Sequence, residues 1–291
     1  MSQIFATSSP YPQITFAEAW QRIAQQLAPL PARDVPLAEA GNLVLARDVV
    51  AAVDVPAFAA ATMDGYAVRT ADAGAGDGLV VRRVTGEGLA GADAATPLLA
   101  GECRRIMTGA PLPPGADAVI PVEETSEVDG VMVSRSRPAP GTNVRAIGSD
   151  VARGAPVLPA GTLLGPAEIG LLATLGLAEA PVHPRPRVLV LATGDELVPP
   201  GQPLAPGQVY DSNSYALAEA IRQVDCLGER RQPALDDADA IESALREAVA
   251  CADLVLTTGG VSMGTRDLLK PALERLGTVH FGRVATKPGK P

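Results

Sequence analysis

The sequence predicts a multidomain protein of mixed class, with a small all-β domain followed by an α/β domain built on a parallel sheet. Three observations carry the prediction. At 291 residues the chain holds about two domains of roughly 150 residues each. Between Leu79 and Arg145 the text LVVRRV, RRIMTGAPLPPGADAVIPVEE and VMVSRS consists of strand-length pieces separated by turns, with no helical period. After the Pro-rich connector PVHPRPR the pattern becomes strand, helix, helix, strand, helix, the order in which parallel sheets are built.

Each element has its own signal. Thr15 to Leu27 places Phe16, Trp20, Ile23 and Leu27 on one helical face, and Thr15 with Glu18 has the capping-box spacing. From Val35 to Val55 short apolar runs alternate with Pro and Gly and read as short strands, followed by a Gly-rich turn at Ala71 to Gly78. Pro166 to Leu175 reads as a short helix with Pro at its first position and Gly176 past its end. In the α/β part, VLVLATG is a strand, SNSYALAEAIRQV and DDADAIESALREAVA are helices, and ADLVLTTGG is a second strand. The last helix, TRDLLKPALERL, carries Pro271, which kinks it or starts a new turn.

Composition narrows the function classes. Apolar residues make up 47% and charged residues 20%, values of a globular chain, and a mean hydropathy of +0.16 is too low for a membrane protein. The most apolar stretch, Leu163 to Ala178, is broken by Pro166 and Glu168 and is too short to span a bilayer. A net charge of -9 provides no overall basic field for nucleic acid or an anionic membrane, so an anionic ligand must meet local cations. Three dispersed cysteines and two histidines point to neither a disulfide framework nor a zinc site. The first residues have no basic and apolar leader pattern, and the expected setting is the reducing cytoplasm.

Two strings point to chemistry. LVLTTGGVSMGTRD is a buried strand ending in a Gly-Gly loop that opens a helix. Glycines let backbone N–H groups approach an anion, and a helix N-terminus adds positive potential. Ser262 and Thr265 add hydroxyls, and Asp267 a carboxylate. LATGDEL ends the first strand of the unit, so Thr193, Gly194, Asp195 and Glu196 lie at the carboxyl edge of a parallel sheet, where ligands of open α/β sheets bind. Adjacent carboxylates there suit a divalent cation held with phosphate oxygens; as plain turns, the same residues would only cap and solvate. Asp211 and Asn213 in VYDSNSY offer polar groups or an N-cap. TMDGYAVR, MTGAPLPPGADAV and GTNVRAIGSDVARG, with Asn143, Arg145 and Asp150, read as structural turns on physical grounds alone.

Taken in order and spacing, TMDGYA, RRIMTGAPLPPGADAV, GTNVRAIGSDVARG, LATGDEL, TTGGVSMGTRDLLK and VATKPGKP resemble the molybdopterin molybdenumtransferase family, to which the E domain of gephyrin is similar. The resemblance runs from about Phe16 to the last residue. It implies an elongated protein: a discontinuous helical segment (12–50 plus 146–184), a β domain (51–145) and a three-layer α/β molybdopterin-binding domain (185–291). The activity it implies is insertion of molybdate into adenylylated molybdopterin, with Mg2+-dependent hydrolysis and release of AMP. Asp150, Glu196 and Asp267 are then the implied catalytic carboxylates, Glu196 and Asp267 also holding the metal. Thr108, Gly194, Asp195, Gly259, Gly260, Ser262, Arg283, Lys287 and Lys290 are the implied substrate-binding residues. A homodimer is expected, with Asp150 reaching the site from the partner subunit, along with contact to the molybdopterin adenylyltransferase and no nucleic-acid or membrane partner.

Two departures from the family pattern bear on activity. Ala59 stands where an acidic residue is usual, in Phe58-Ala59-Ala60-Ala61. The chain also stops at Pro291, where the pattern continues through further strands and a small β domain, so weak or no activity is expected of these 291 residues alone. A catalytically impaired molybdopterin-binding or scaffold protein is the alternative; an unrelated nucleotide-binding enzyme explains only the TTGGVSMG loop.

Overall fold

The computed structural model describes residues 11–74, 76–89, 91, 96–234, 237–259 and 268–286. It divides into two compact units, one formed by 34–182 and the other by 1–33 with 183–291.

Helix α1 (Phe16–Gln26) opens the described chain, and its capping box forms as the spacing predicts. Thr15 Oγ1 accepts from the Glu18 amide at 3.2 Å, while the Thr15 amide donates to Glu18 Oε2 at 2.7 Å. The apolar stripe behaves differently from an ordinary core stripe. Phe16 and Trp20 are 68% and 65% exposed, Ile23 and Leu27 are exposed as well, and only Ala19 is buried.

The unit 34–182 is dominated by strands, as the lack of helical period requires. Six of them, β1 (Gly65–Val68), β2 (Val80–Gly88), β3 (Glu102–Ile106), β4 (Ala118–Pro121), β5 (Thr125–Val128) and β6 (Val131–Ser134), form one sheet in the order β4-β1-β3-β2-β6-β5. Its pairs are antiparallel except β2 with β3. Tyr66, Val68, Cys103, Ala118, Ile120 and Met132 pack on one face, and Ala67, Ile106 and Val119 pack with Ala61 and Ala110 on the other. Gly65 sits where β1 meets β4 so closely that a Cβ would collide with the Ile120 carbonyl oxygen. A second core gathers Leu43, Leu45, Ala51, Leu164, Leu172 and Val182 around helix α2 (Pro166–Thr174). That helix begins with Pro166, and Gly176 beyond its end has φ +78, as expected for this Pro/Gly bracket.

In the other unit, strands β7 (Arg187–Ala192), β8 (Leu227–Arg230) and β9 (Leu254–Thr258) form a parallel sheet in the order β8-β7-β9. Helices α3 (Asn213–Gln223), α4 (Ala238–Cys251) and α5 (Leu269–Leu276) cover it. The continuous apolar run of β7 follows from having both faces buried. Val188 and Val190 pack against Ala218 and Ile221 of α3, and Leu189 and Leu191 against Ile241, Leu245, Leu269 and Ala272 of α4 and α5. The result is helix, sheet, helix, the three layers expected. Pro271 lies in the first turn of α5, where its missing N–H costs no helical bond, so it starts the helix instead of kinking it. Strand β8 is one element that sequence reading missed, beside the short pair around 197–210 read as a loop: LGER is half charged and has no apolar alternation. Among the described residues, no helix is long and apolar enough to cross a membrane.

Candidate functional site

The carboxyl ends of β7 and β9 are brought together by register. Ala192 pairs with Thr258, and the Thr193 amide donates to the Thr258 carbonyl at 2.9 Å. The chain then turns through Gly194, whose φ of +145 only glycine adopts readily. A Cβ at Gly194 would lie 2.7 Å from Glu196 Oε2, so the missing side chain leaves room for the Glu196 carboxylate to fold back over the turn. Asp195 is exposed on the same turn. From β9, Gly259 has φ +91, and a Cβ there would collide with the Thr193 carbonyl oxygen. Two glycines of the LATGDEL and TTGG strings thus answer to one close approach of the two strand ends.

A short parallel pair, Leu197–Val198 with Val209–Tyr210, carries the chain back past this edge and delivers Asp211 to the start of α3. Asp211 is buried; its Oδ1 accepts from the Ser214 amide at 3.1 Å, and its Oδ2 accepts from the Ser214 hydroxyl. Arg230, the last residue of β8, donates from Nε to Ser214 Oγ at 3.1 Å and lies 3.7 Å from Asp211 Oδ2. Its guanidinium carbon stands 3.5 Å over the Tyr215 ring. Ser212, not Asp211, is the N-cap of α3, but Asp211 just before it holds an amide of the first turn and pairs with a partly exposed arginine that had no local sequence signal. Asn213 points elsewhere, donating to Thr258 Oγ1 at 3.4 Å.

Beside them lies an open cavity of about 340 Å3 lined by Thr193, Glu196, Asp211, Asn213, Thr258 and Gly259 among others. Thr193 is 1% exposed, and among the described residues its hydroxyl has no hydrogen-bond partner. A buried hydroxyl without a partner is costly unless a ligand completes it. Asp211 is committed to Ser214 and Arg230, which leaves Glu196 as the cavity's uncommitted carboxylate among the described residues. No group of three or more His, Cys, Asp or Glu side chains converges there among the described residues.

The other expected residues fall in several places. Gly260, Ser262, Thr265, Asp267, Lys287 and Lys290 lie outside the described residues. Arg283 does not line the cavity of Glu196; it lines a separate space of about 210 Å3 with Tyr11, Leu269, Leu273 and Phe281. Thr108 and Asp150 belong to the unit 34–182. Thr108 donates to Asp64 Oδ1 from both its amide, at 2.7 Å, and its hydroxyl, at 2.8 Å, and these bonds hold Asp64 below the ordinary carboxylate pKa. The TMDGYA and MTGAP strings are thereby tied to one another. Asp150 is exposed and paired with Arg145, and Asn143, at φ +56, donates to the Val119 carbonyl at 3.0 Å. Ala60 and Ala61 are buried in a two-residue strand paired with Val144–Arg145.

Residues 14–176 match the family model described as the MoeA N-terminal region (domain I and II), and residues 189–291 match a probable molybdopterin binding domain. The chain belongs to the MoeA, or molybdopterin molybdenumtransferase, family. A relative named molybdopterin molybdenumtransferase 2 from Mycobacterium tuberculosis is 45% identical over 266 residues, covering 88% of this chain and 65% of its own length. The Haemophilus influenzae molybdopterin molybdenumtransferase is 39% identical, covering 96% of this chain and 69% of its own. A crystal structure of a molybdopterin biosynthesis MoeA protein from Pyrococcus horikoshii superposes with a TM-score of 0.85 at 34% identity, covering 96% of this chain and 71% of that one. The chain thus spans about two thirds of the length of the MoeA relatives it matches.

Proposed function

We propose that the protein containing this chain inserts molybdate into adenylylated molybdopterin, with hydrolysis of the pyrophosphate bond and release of AMP, as a step of molybdenum cofactor synthesis. The observation that carries the reading is the cavity at the carboxyl edge of the parallel sheet, with the Thr193 hydroxyl unpartnered and the Glu196 carboxylate turned toward it. Family membership supports the substrate class.

In this reading Gly259 lets the ligand's phosphates approach backbone N–H groups, Thr193 and Asn213 orient the ligand by hydrogen bonds, and the apolar sheet beneath excludes water. Glu196 fits a Mg2+ ion, since that ion takes one or two carboxylates and completes its shell with waters and phosphate oxygens; Asp267 is the second ligand implied by the family. When bound, Mg2+ supplies neutralisation of charge developing on the phosphates. Gly260, Ser262, Lys287 and Lys290 would bind the anionic groups. Asp150 would act from a partner subunit, a homodimer that the exposed Phe16, Trp20, Ile23 and Leu27 stripe supports. A cytoplasmic setting and contact with the adenylyltransferase complete the reading.

The test is AMP release from adenylylated molybdopterin with Mg2+ and molybdate, comparing as parent the whole protein containing this chain with its Glu196→Ala and Asp150→Ala variants. Both are exposed carboxylates, so each substitution should lower turnover by orders of magnitude while leaving the unfolding transition in place. Unchanged AMP release in both variants would refute the site. Tight pterin binding without AMP release by the parent, restored by Ala59→Asp, would favour the impaired binder instead.

A further inference from the structure

In the six-stranded sheet, one buried arginine is left without a hydrogen bond among the described residues. Arg82 of β2 is 1% exposed, and its Nε, Nη1 and Nη2 all lack a hydrogen-bond partner among the described residues. Hydrogen bonds bring the neighbouring charges to the same corner. The Gly101 carbonyl accepts from the amide of Arg83 at 2.9 Å, and the Gly101 amide donates to Asp72 Oδ2 at 3.0 Å. On the other side, Ser134 of β6 pairs with Val80, and Arg137 just beyond it donates to the Gly78 carbonyl at 2.9 Å. The Nε of Arg137 is also buried without a partner.

Three acids around this corner are engaged with other groups. Asp72 already serves the Gly101 amide and lies 3.5 Å from Arg69. Glu102 holds Arg83 and the Leu99 amide, and Glu127 holds Arg105 and the Tyr66 hydroxyl. The nearby Cys103 thiol is pushed up to about 12 by burial and stays neutral. The charge of Arg82 is favoured by the Asp72 charge, which also faces Arg69, and opposed by the Arg137 charge. Leaving a buried guanidinium uncompensated costs several kcal/mol, and native proteins pair such charges.

We propose that Arg82 and Arg137 form a binding site for a small tetrahedral oxyanion of the sulfate, phosphate or molybdate class. The planar N–H fork of a guanidinium matches such oxygens in pairs. The site belongs to the β unit and does not depend on the cavity around Glu196 or on the reaction proposed for it.

The experiment is thermal unfolding of the 291-residue chain in sodium sulfate, phosphate or molybdate, each against sodium chloride at equal ionic strength. At one hundred times the dissociation constant of a bound oxyanion, the parent should gain about 5 °C in Tm or more over chloride. Arg82→Met, close in volume and without the charge, should fold at least as stably as the parent in chloride and lose the oxyanion response. Arg137→Gln, a partly exposed position, is the second variant and should weaken the response without abolishing folding. The anion effective at the lowest concentration identifies the source. No rise beyond chloride in the parent overturns the proposal, and so does an equal rise in the parent and Arg82→Met, which is general salt stabilisation.

Discussion

The turn strings of the β unit and those of the α/β unit are alike in sequence, short Gly- and Pro-rich pieces with one or two polar groups, yet they differ in what those groups touch. In the β unit Asp64 is bound by Thr108, Asn143 by the Val119 carbonyl and Asp150 by Arg145. At the sheet edge of the α/β unit, Thr193 is buried with its hydroxyl unpartnered, and Glu196 lines an open cavity. The first set of polar groups is satisfied by the fold itself, and the second is arranged for something the fold does not supply. A polar motif therefore acquires meaning from its hydrogen-bond inventory more than from its composition.

The largest test of that contrast is a pair of glycine substitutions. Gly65→Ala and Gly259→Ala each drive a Cβ into a carbonyl oxygen, of Ile120 and of Thr193 respectively, and each should destabilise by about 2–4 kcal/mol in urea unfolding. Gly259→Ala should also abolish pterin-nucleotide binding by displacing the cavity wall, whereas the residual folded Gly65→Ala should bind like the parent. Equal losses of binding in the folded fraction of both would erase the distinction between the two regions.

A smaller effect is expected from Thr193→Val, which removes the unpartnered hydroxyl while keeping the shape. Unfolding should change by less than about 1 kcal/mol, because no protein hydrogen bond is lost. Ligand affinity should fall about tenfold, the weight of one hydrogen bond from a buried hydroxyl. Unaltered affinity in calorimetry would remove Thr193 from the site.

The smallest effect belongs to Asp64, whose pKa is lowered by the Thr108 amide and hydroxyl. A depressed folded pKa stabilises above the unfolded value of 3.8, and the contribution disappears as pH falls through the lower folded value. Urea midpoints of the parent should therefore drop more steeply below pH 4 than those of Asp64→Asn. Parallel pH profiles would show that the Thr108 contact contributes nothing to folding.

Much of the chain was legible from local patterns. The capping box of α1, the Pro/Gly bracket of α2, the apolar run of β7 and the Gly-rich strand ends follow from nearest-neighbour chemistry, and the structure places them where the periodicity does. Residues joined only through space were not legible. Arg230 and its strand LGER carry no apolar signal, because β8 takes its place from pairing with β7. Arg283, which the family resemblance places among the substrate-binding residues, lines a space separate from that of Glu196. By itself the sequence determined the element types, the turn chemistry and the family, all set by contacts a few residues apart. Only the tertiary structure decided which polar groups are satisfied. It closed Asp64 on Thr108 and Arg230 on Asp211, and left Thr193 and Arg82 open, because a buried hydrogen bond depends on partners that chain distance does not reveal.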